Sequence, residues 1–304
     1  MLPAALAVIA AIALARSAYP RYFERRALKR LPLGPDGIVM GAGTIDLPRD
    51  KAHGALLLHG AGDTPQVLAG LATSLYARGY SVRAPLLSGH GRSLSSFAAV
   101  SSSQWHDDVR REYASMLATH DSVAIVGLSM GGALAVRFAA DEKSVPALVL
   151  LAPYVTMPAL VRRVAARSAL WRSAFPYFSS GGSQSIHDPD AAARGLGHGV
   201  FTPTALHALY DVVVAAEKAL PGVTAPTMMI QSREDNRISI ESARRTFERL
   251  GASEKRLIWT EGAGHVITVD FGHEEVFELT GKWLDHHLRA AGGGLPESNE
   301  GSVR

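Results

Sequence analysis

The sequence predicts an α/β protein in which a mostly parallel central sheet is flanked by helices and carries a small helical cap insertion. Three observations predict it. Short apolar runs alternate with helix-length segments from residue 54 to residue 289, as they do where buried parallel strands are joined by crossover helices. The alternation lapses once, from Tyr154 to about Leu220, and an interval of that length between strands marks an insertion. A serine set among glycines, Gly127-Leu128-Ser129-Met130-Gly131-Gly132, separates an apolar run from a helical one.

In chain order, the first element is the uncharged apolar run Leu2–Ala15, followed by Arg16, Arg21, Arg25, Arg26, Lys29 and Arg30. At ~1.5 Å per residue the run covers roughly 21 Å, short of the ~30 Å hydrocarbon core. Extension to Tyr19 with Arg16 snorkelling brings spanning within reach. A membrane anchor is the expected reading, and the basic flank then places the rest of the chain on the cytoplasmic side. Two alternatives stand beside it. Ala13-Leu14-Ala15 fits a signal-peptide cleavage site, although no basic region precedes the run; a helix packed on the domain is the other.

A transition through Pro32, Gly34, Pro35 and Gly37 leads into the alternating region. Its strands are expected at Gly54–His59, Tyr80–Ala84, Ser122–Gly127, Pro146–Ala152, Pro226–Gln231 and Arg256–Thr260, each a leucine-rich or β-branched run bounded by Gly, Pro or polar turns. Helices are expected at Pro65–Arg78, Ser102–His120, Met130–Ala140, Ser239–Leu250 and Glu274–Arg289. The resulting organisation is an N-terminal segment (1–30), a core (31–153 and 221–289), a cap (154–220) and a flexible tail (290–304). Within the cap, Leu160–Arg172 sets four arginines among apolar residues. Such a helix either covers the site with its basic side in water or lies on a membrane surface.

The composition narrows the function classes. With 304 residues, 47% hydrophobic and 19% charged, the chain can bury a large core. The net charge of +3 and pI near 9.2 come partly from the cluster behind the apolar run, and most other basic residues alternate with acids. No basic stripe with stacking aromatics is present, which excludes nucleic acid as the expected partner. The absence of cysteine excludes disulfides, thiol nucleophiles and thiolate metal sites.

The glycine-flanked serine fits the tight strand-to-helix turn that exposes a nucleophile, because larger neighbours would clash with strand and helix. Its position at a helix N-terminus favours developing negative charge. A serine hydroxyl needs a base, and that base needs a carboxylate to set its tautomer. In the order Ser, acid, His, Asp235 follows the strand Pro226–Gln231 and His265 follows Arg256–Thr260. Both stand past the carboxyl ends of their strands, where open parallel sheets build sites. Glu234 is the competing acid; Asp235 is favoured because the later loop residue turns inward. His273, His286 and His287 fall in or beside the terminal helix. The oxyanion donors are expected at the backbone N–H groups of Met130 and Ala61, while His59 is expected to brace its loop.

These motifs resemble the monoacylglycerol lipase and carboxylesterase group of α/β hydrolases. The resemblance rests on Leu56–Gly60, Ser88-Gly89-His90-Gly91, Trp105 with Asp108-Val109, the Gly127–Gly132 elbow, Asp235, and the run Gly264 to Asp270. It implies the α/β-hydrolase fold, an eight-stranded core, a small cap, no cofactor and no metal. It also implies hydrolysis of an acyl ester or lipid through an acyl-enzyme, with Ser129, Asp235 and His265 as triad and Ala61 and Met130 as oxyanion donors. The basic, apolar N-terminal extension departs from the compact members of the group. Thioester, lysophospholipid and amide substrates fit the same constellation, and a non-catalytic binding protein would have little use for an intact triad.

Overall fold

Seven strands form the main sheet: β1 (Ile45–Leu47), β2 (Gly54–Leu58), β3 (Ser81–Ala84), β4 (Val123–Leu128), β5 (Leu148–Leu151), β8 (Thr227–Ser232) and β9 (Lys255–Thr260). The chain is described from a computed structural model over residues 18–49, 53–172, 175–179 and 185–289. The apolar run 2–15 and the tail 290–304 lie outside the described residues. Spatial order is β1-β3-β2-β4-β5-β8-β9, with β1 antiparallel and every other neighbour pair parallel. β2, β4, β5 and β8 are buried at every position, so they read as continuous apolar runs rather than alternating ones.

Side chains nevertheless alternate between two cores. Leu56, Leu58, Val123 and Ile125 face one, filled by α3 (Ser102–Leu117), α4 (Met130–Asp141) and α8 (Pro203–Ala219). Ala55, Leu57, Ala124 and Val126 face the other, filled by α1 (Ala69–Ala77) and α10 (His273–Arg289). The helix starts are set locally. Ser101 and Gln104 form a capping box ahead of α3, and Thr202 caps α8 with Pro203 in its first turn.

The main sheet has seven strands among the described residues where a core of eight was implied. The segment ahead of β1 folds back on itself through the bridge between Leu33 and Val39, and Val39 N–H donates to Gly91 O. Its glycines and prolines suit turns better than an edge strand. β1 itself went unforeseen, since three residues at a sheet edge carry too little pattern.

Between β5 and β8 the chain leaves the sheet. It forms α5 (Ala159–Ala166), α6 (Ser168–Trp171), a two-stranded ribbon of β6 (Phe178–Ser179) and β7 (Val200–Phe201), and α7 (Pro189–Arg194) before α8 returns along α4. The shorter helices α2 (Leu94–Phe97) and α9 (Ile240–Arg249) complete the set. Residues 18–30 are helical and packed: Ala27 is buried with Leu94 and Tyr177, Phe23 stacks on Tyr177, and the Tyr19 hydroxyl donates to Tyr177 O at 3.0 Å. None of the described helices is long and apolar enough to cross a membrane.

The parallel registers bring Leu58 beside Gly127, Leu128 beside Leu151 and Ser232 beside Thr260. The loops leaving β2, β4, β8 and β9 therefore emerge along one edge of the sheet.

Candidate active site

β4 ends at Leu128 and α4 starts at Met130, so Ser129 alone makes the reversal. Its backbone sits at φ 54, ψ −117, a region that non-glycine residues avoid unless the surroundings impose it. Those surroundings are tight. A Cβ on Gly127 would lie 2.4 Å from Gly131 O, one on Gly131 2.1 Å from Leu58 O, and one on Gly132 2.9 Å from Pro153 Cβ. Each glycine of the motif is thus required by a named neighbour. Ser129 N–H donates to Leu151 O, and Ser129 O accepts from Ala133 and Tyr154.

The structure brings Ser129, His265 and Asp235 together. His265 Nε2 lies 2.8 Å from Ser129 Oγ, and His265 Nδ1 lies 2.8 Å from Asp235 Oδ2. The Asp235 side chain is 0% exposed. Burial alone would raise its pKa, but the hydrogen bond from His265 and those from the N–H groups of Arg237 and Ile238 hold it below the ordinary carboxylate value. An ionised carboxylate only accepts, so Nδ1 carries the proton and Nε2 is left to accept from the serine hydroxyl. Glu234 stands elsewhere: its Oε1 accepts from Gly262 N–H at 2.8 Å, which braces the His265 loop from outside.

The β2 exit loop abuts the elbow. A Cβ on Gly60 would meet Ser129 Cβ at 3.2 Å, which sets Ala61 next in line to Ser129, while Met130 opens α4 and is fully buried. His59 braces this loop as expected. Its Nδ1–H donates to Gly60 O, and its Nε2 accepts from Leu87 N–H. Burial lowers its pKa to about 4, against smaller raising effects from Gly60 and Asp108.

Several positioning residues escaped the sequence reading. Gln231 donates to Asp235 Oδ2 at 2.7 Å, the same oxygen that meets His265 Nδ1. Asp270 accepts from the N–H groups of Gly264, His187, Asp188 and Phe271, tying the His265 loop to the segment between β5 and β8. Ser185 O, in that same segment, accepts from the N–H groups of His265 and Val266. The Tyr154 ring stands edge-on to His265 at 6.4 Å. Asp63, partly buried just past Ala61, is pushed up by burial to about 6, with His265 and Arg237 opposing the shift. Only Asp270 left a trace in the sequence, as the end of the Gly264 run.

The insertion therefore sits on the β2 exit loop and the His265 loop. Residues 185–188 grip the His265 loop, and a Cβ on Gly197 would strike Gly62 O at 2.5 Å, so residues 197–201 press on the β2 exit loop. Among the described residues, the one group that could hold a metal ion is Glu254, His286 and His287. Glu254 precedes the amino end of β9, opposite the edge that carries Ser129.

Comparison with known proteins follows the same lines. The Hydrolase_4 family, described as serine aminopeptidase, S33, matches residues 51–271. A carboxylesterase of Bacillus subtilis (strain 168) is 27% identical over 240 residues, covering 77% of this chain and 93% of its own. A thermostable monoacylglycerol lipase of Bacillus sp. (strain H-257) is 26% identical over 235 residues, covering 77% and 91%. Among solved structures, one described under the metagenome-derived lipolytic enzymes LipS and LipT superposes with a TM-score of 0.75 at 27% identity, over 82% of this chain and 100% of that one. With its sheet order, its elbow and a match over most of its length, the chain has the α/β-hydrolase fold and belongs to the Hydrolase_4 family.

Proposed function

We propose that the chain is a serine hydrolase of the esterase and monoacylglycerol lipase type, cleaving carboxylic acyl esters through a covalent acyl-enzyme. The unbroken hydrogen-bonded series Asp235–His265–Ser129, with both links at 2.8 Å, carries this reading. In it, Asp235 holds the His265 tautomer and balances the imidazolium that forms. His265 takes the hydroxyl proton as Ser129 Oγ attacks the ester carbonyl, and the Ala61 and Met130 N–H groups receive the oxyanion. The same proton passes to the departing alcohol, and a water activated by His265 then releases the acid. No cofactor is needed for these steps.

The substrate is a small acyl ester or lipid, by analogy with the carboxylesterase and monoacylglycerol lipase relatives. The family description names an aminopeptidase, so amide cleavage is the second reading. A panel of p-nitrophenyl esters run beside an aminoacyl p-nitroanilide separates the two. Faster turnover of the anilide would replace the ester reading.

A fluorophosphonate probe tests the nucleophile, with labelling at Ser129 expected. Ser129→Ala should fold, escape labelling and lose most turnover, on the order of 10⁴-fold or more in kcat. Retention of more than a tenth of the activity would remove Ser129 from the role. As part of the same proposal, residues 154–220 form the cap over the site. Residues 2–15 form a membrane anchor, and their basic flank keeps the catalytic domain on the cytoplasmic side.

A further inference from the structure

The described part of the insertion shows an outward face that none of the other described residues covers. Leu160, Arg163, Val164 and Arg167 fall at the i, i+3, i+4 and i+7 positions of α5 and its C-terminal residue, so they share one face. Ala165, on the opposite side, is buried. Leu160 is 73% exposed, Leu170 in α6 is 83% exposed and Phe175 just beyond is 61% exposed. Three large apolar side chains this exposed, on consecutive short elements, exceed the single scattered apolar residues usual on a surface.

The charge around these side chains has one sign. No Asp or Glu occurs between Glu142 and Asp188, an interval that holds four arginines. Arg162 points back and pairs with Glu217 at 2.9 Å. Arg163, Arg167 and Arg172 are exposed and have no acidic partner among the described residues. Helical residues 18–30 add Arg21, Arg25, Arg26 and Lys29, all exposed, and they pack beside this region through Phe23 against Tyr177. The apolar residues 2–15 therefore lead into a helix already fixed to the insertion.

We infer that the outer face of α5 and α6, with Phe175, docks on an anionic lipid surface. Exposed aliphatic and aromatic side chains enter the acyl boundary while the flanking arginines meet anionic head groups. A protein partner would need acids opposite the arginines and a shaped apolar cleft. A bilayer supplies both charge and apolar depth without shape. Because the insertion rests on the His265 loop and on the β2 exit loop that abuts Ser129, docking would hold the site against the surface from which a lipid ester leaves. The inference rests on the proposed ester hydrolysis for its purpose but not for its measurement.

The chain has no cysteine, so Leu170→Cys in the full-length protein can be labelled at one position with an environment-sensitive fluorophore, and Lys282→Cys on the exposed side of α10 serves as the control. On vesicles of phosphatidylcholine with phosphatidylglycerol, the label at 170 should shift to the blue and be quenched by doxyl lipid, while the label at 282 should stay in water. Reversing Arg163, Arg167 and Arg172 to Glu should weaken that signal by at least about tenfold in lipid concentration. p-Nitrophenyl butyrate turnover, read in the same samples, should be unchanged. A label at 170 that stays wet while the chain is vesicle-bound overturns the inference, as does an absence of vesicle binding or a dimer that buries the label in lipid-free solution. Loss of butyrate turnover in the otherwise unmodified labelled protein would count against the ester reading alone.

Discussion

Two adjacent carboxylates separate cleanly at the scale of single residues. Asp235 is buried and accepts from His265, Gln231 and two backbone N–H groups, whereas Glu234 accepts from Gly262 at the surface. Asp235→Asn should leave His265 in the wrong tautomer and lower kcat by on the order of 10⁴, while Glu234→Gln should change it less than about tenfold. Steady-state kinetics on one ester ranks them, and the reverse order would move the role to Glu234. Asp63 makes a different prediction. Its pKa is raised from 3.8 to about 6 by burial, so the folded chain keeps a proton that the unfolded chain has lost between those values. Stability contributed at this residue falls as pH rises from about 4 to 6 and stays lowered above. Asp63→Asn should therefore raise Tm at pH 8 by more than at pH 4. Equal differences at the two pH values would show that the carboxyl titrates normally.

At the scale of elements, the site is the meeting of four strand ends, and most of it was legible in the chain. Ser129, Asp235 and His265 each follow a strand of the parallel sheet, and the order of those strands is enough to bring the three residues to one edge. The proposed oxyanion donors Ala61 and Met130 are read the same way, from backbone position and not side chain. What supports them was not. Ser185 and Asp270 act through contacts spanning up to 83 positions in sequence, which no local period encodes, and Gln231, four positions from Asp235, reads as one more residue of a buried strand. β1 and the packing of residues 18–30 were missed because three edge residues and a half-exposed helix carry weak patterns. Two substitutions test the supports. Gly131→Ala must force a methyl to within 2.1 Å of Leu58 O, and should destabilise the fold by on the order of 3 kcal/mol or more, seen as a lowered Tm. Asp270→Ala releases four N–H groups and loosens the His265 loop. We expect kcat to fall about tenfold to a hundredfold, because small misplacements of a base are expensive, with KM little changed. An unaltered kcat would make Asp270 a residue of stability only.

For the whole molecule, the packing of residues 18–30 divides the N-terminal region in two. The apolar residues 2–15 precede the described structure, whereas Ala27 and Phe23 are seated against Leu94 and Tyr177, and Glu24 accepts from Leu94 N–H. Removing residues 2–15 and removing residues 2–30 are then different experiments. The shorter deletion should leave Tm and kcat on a water-soluble ester nearly unchanged while it lowers membrane recovery, because chemistry and tether share no residue. The longer one strips buried apolar area worth about 2 kcal/mol and should lower Tm by roughly 4–8 °C for a domain of this size. It should also disturb the insertion that grips the His265 loop, so kcat should fall as well. Scanning calorimetry and p-nitrophenyl acetate turnover on both forms check this. If the two deletions behave alike, residues 18–30 add nothing to the fold; if the shorter one alone unfolds the chain, residues 2–15 belong to the packed domain and are not a tether.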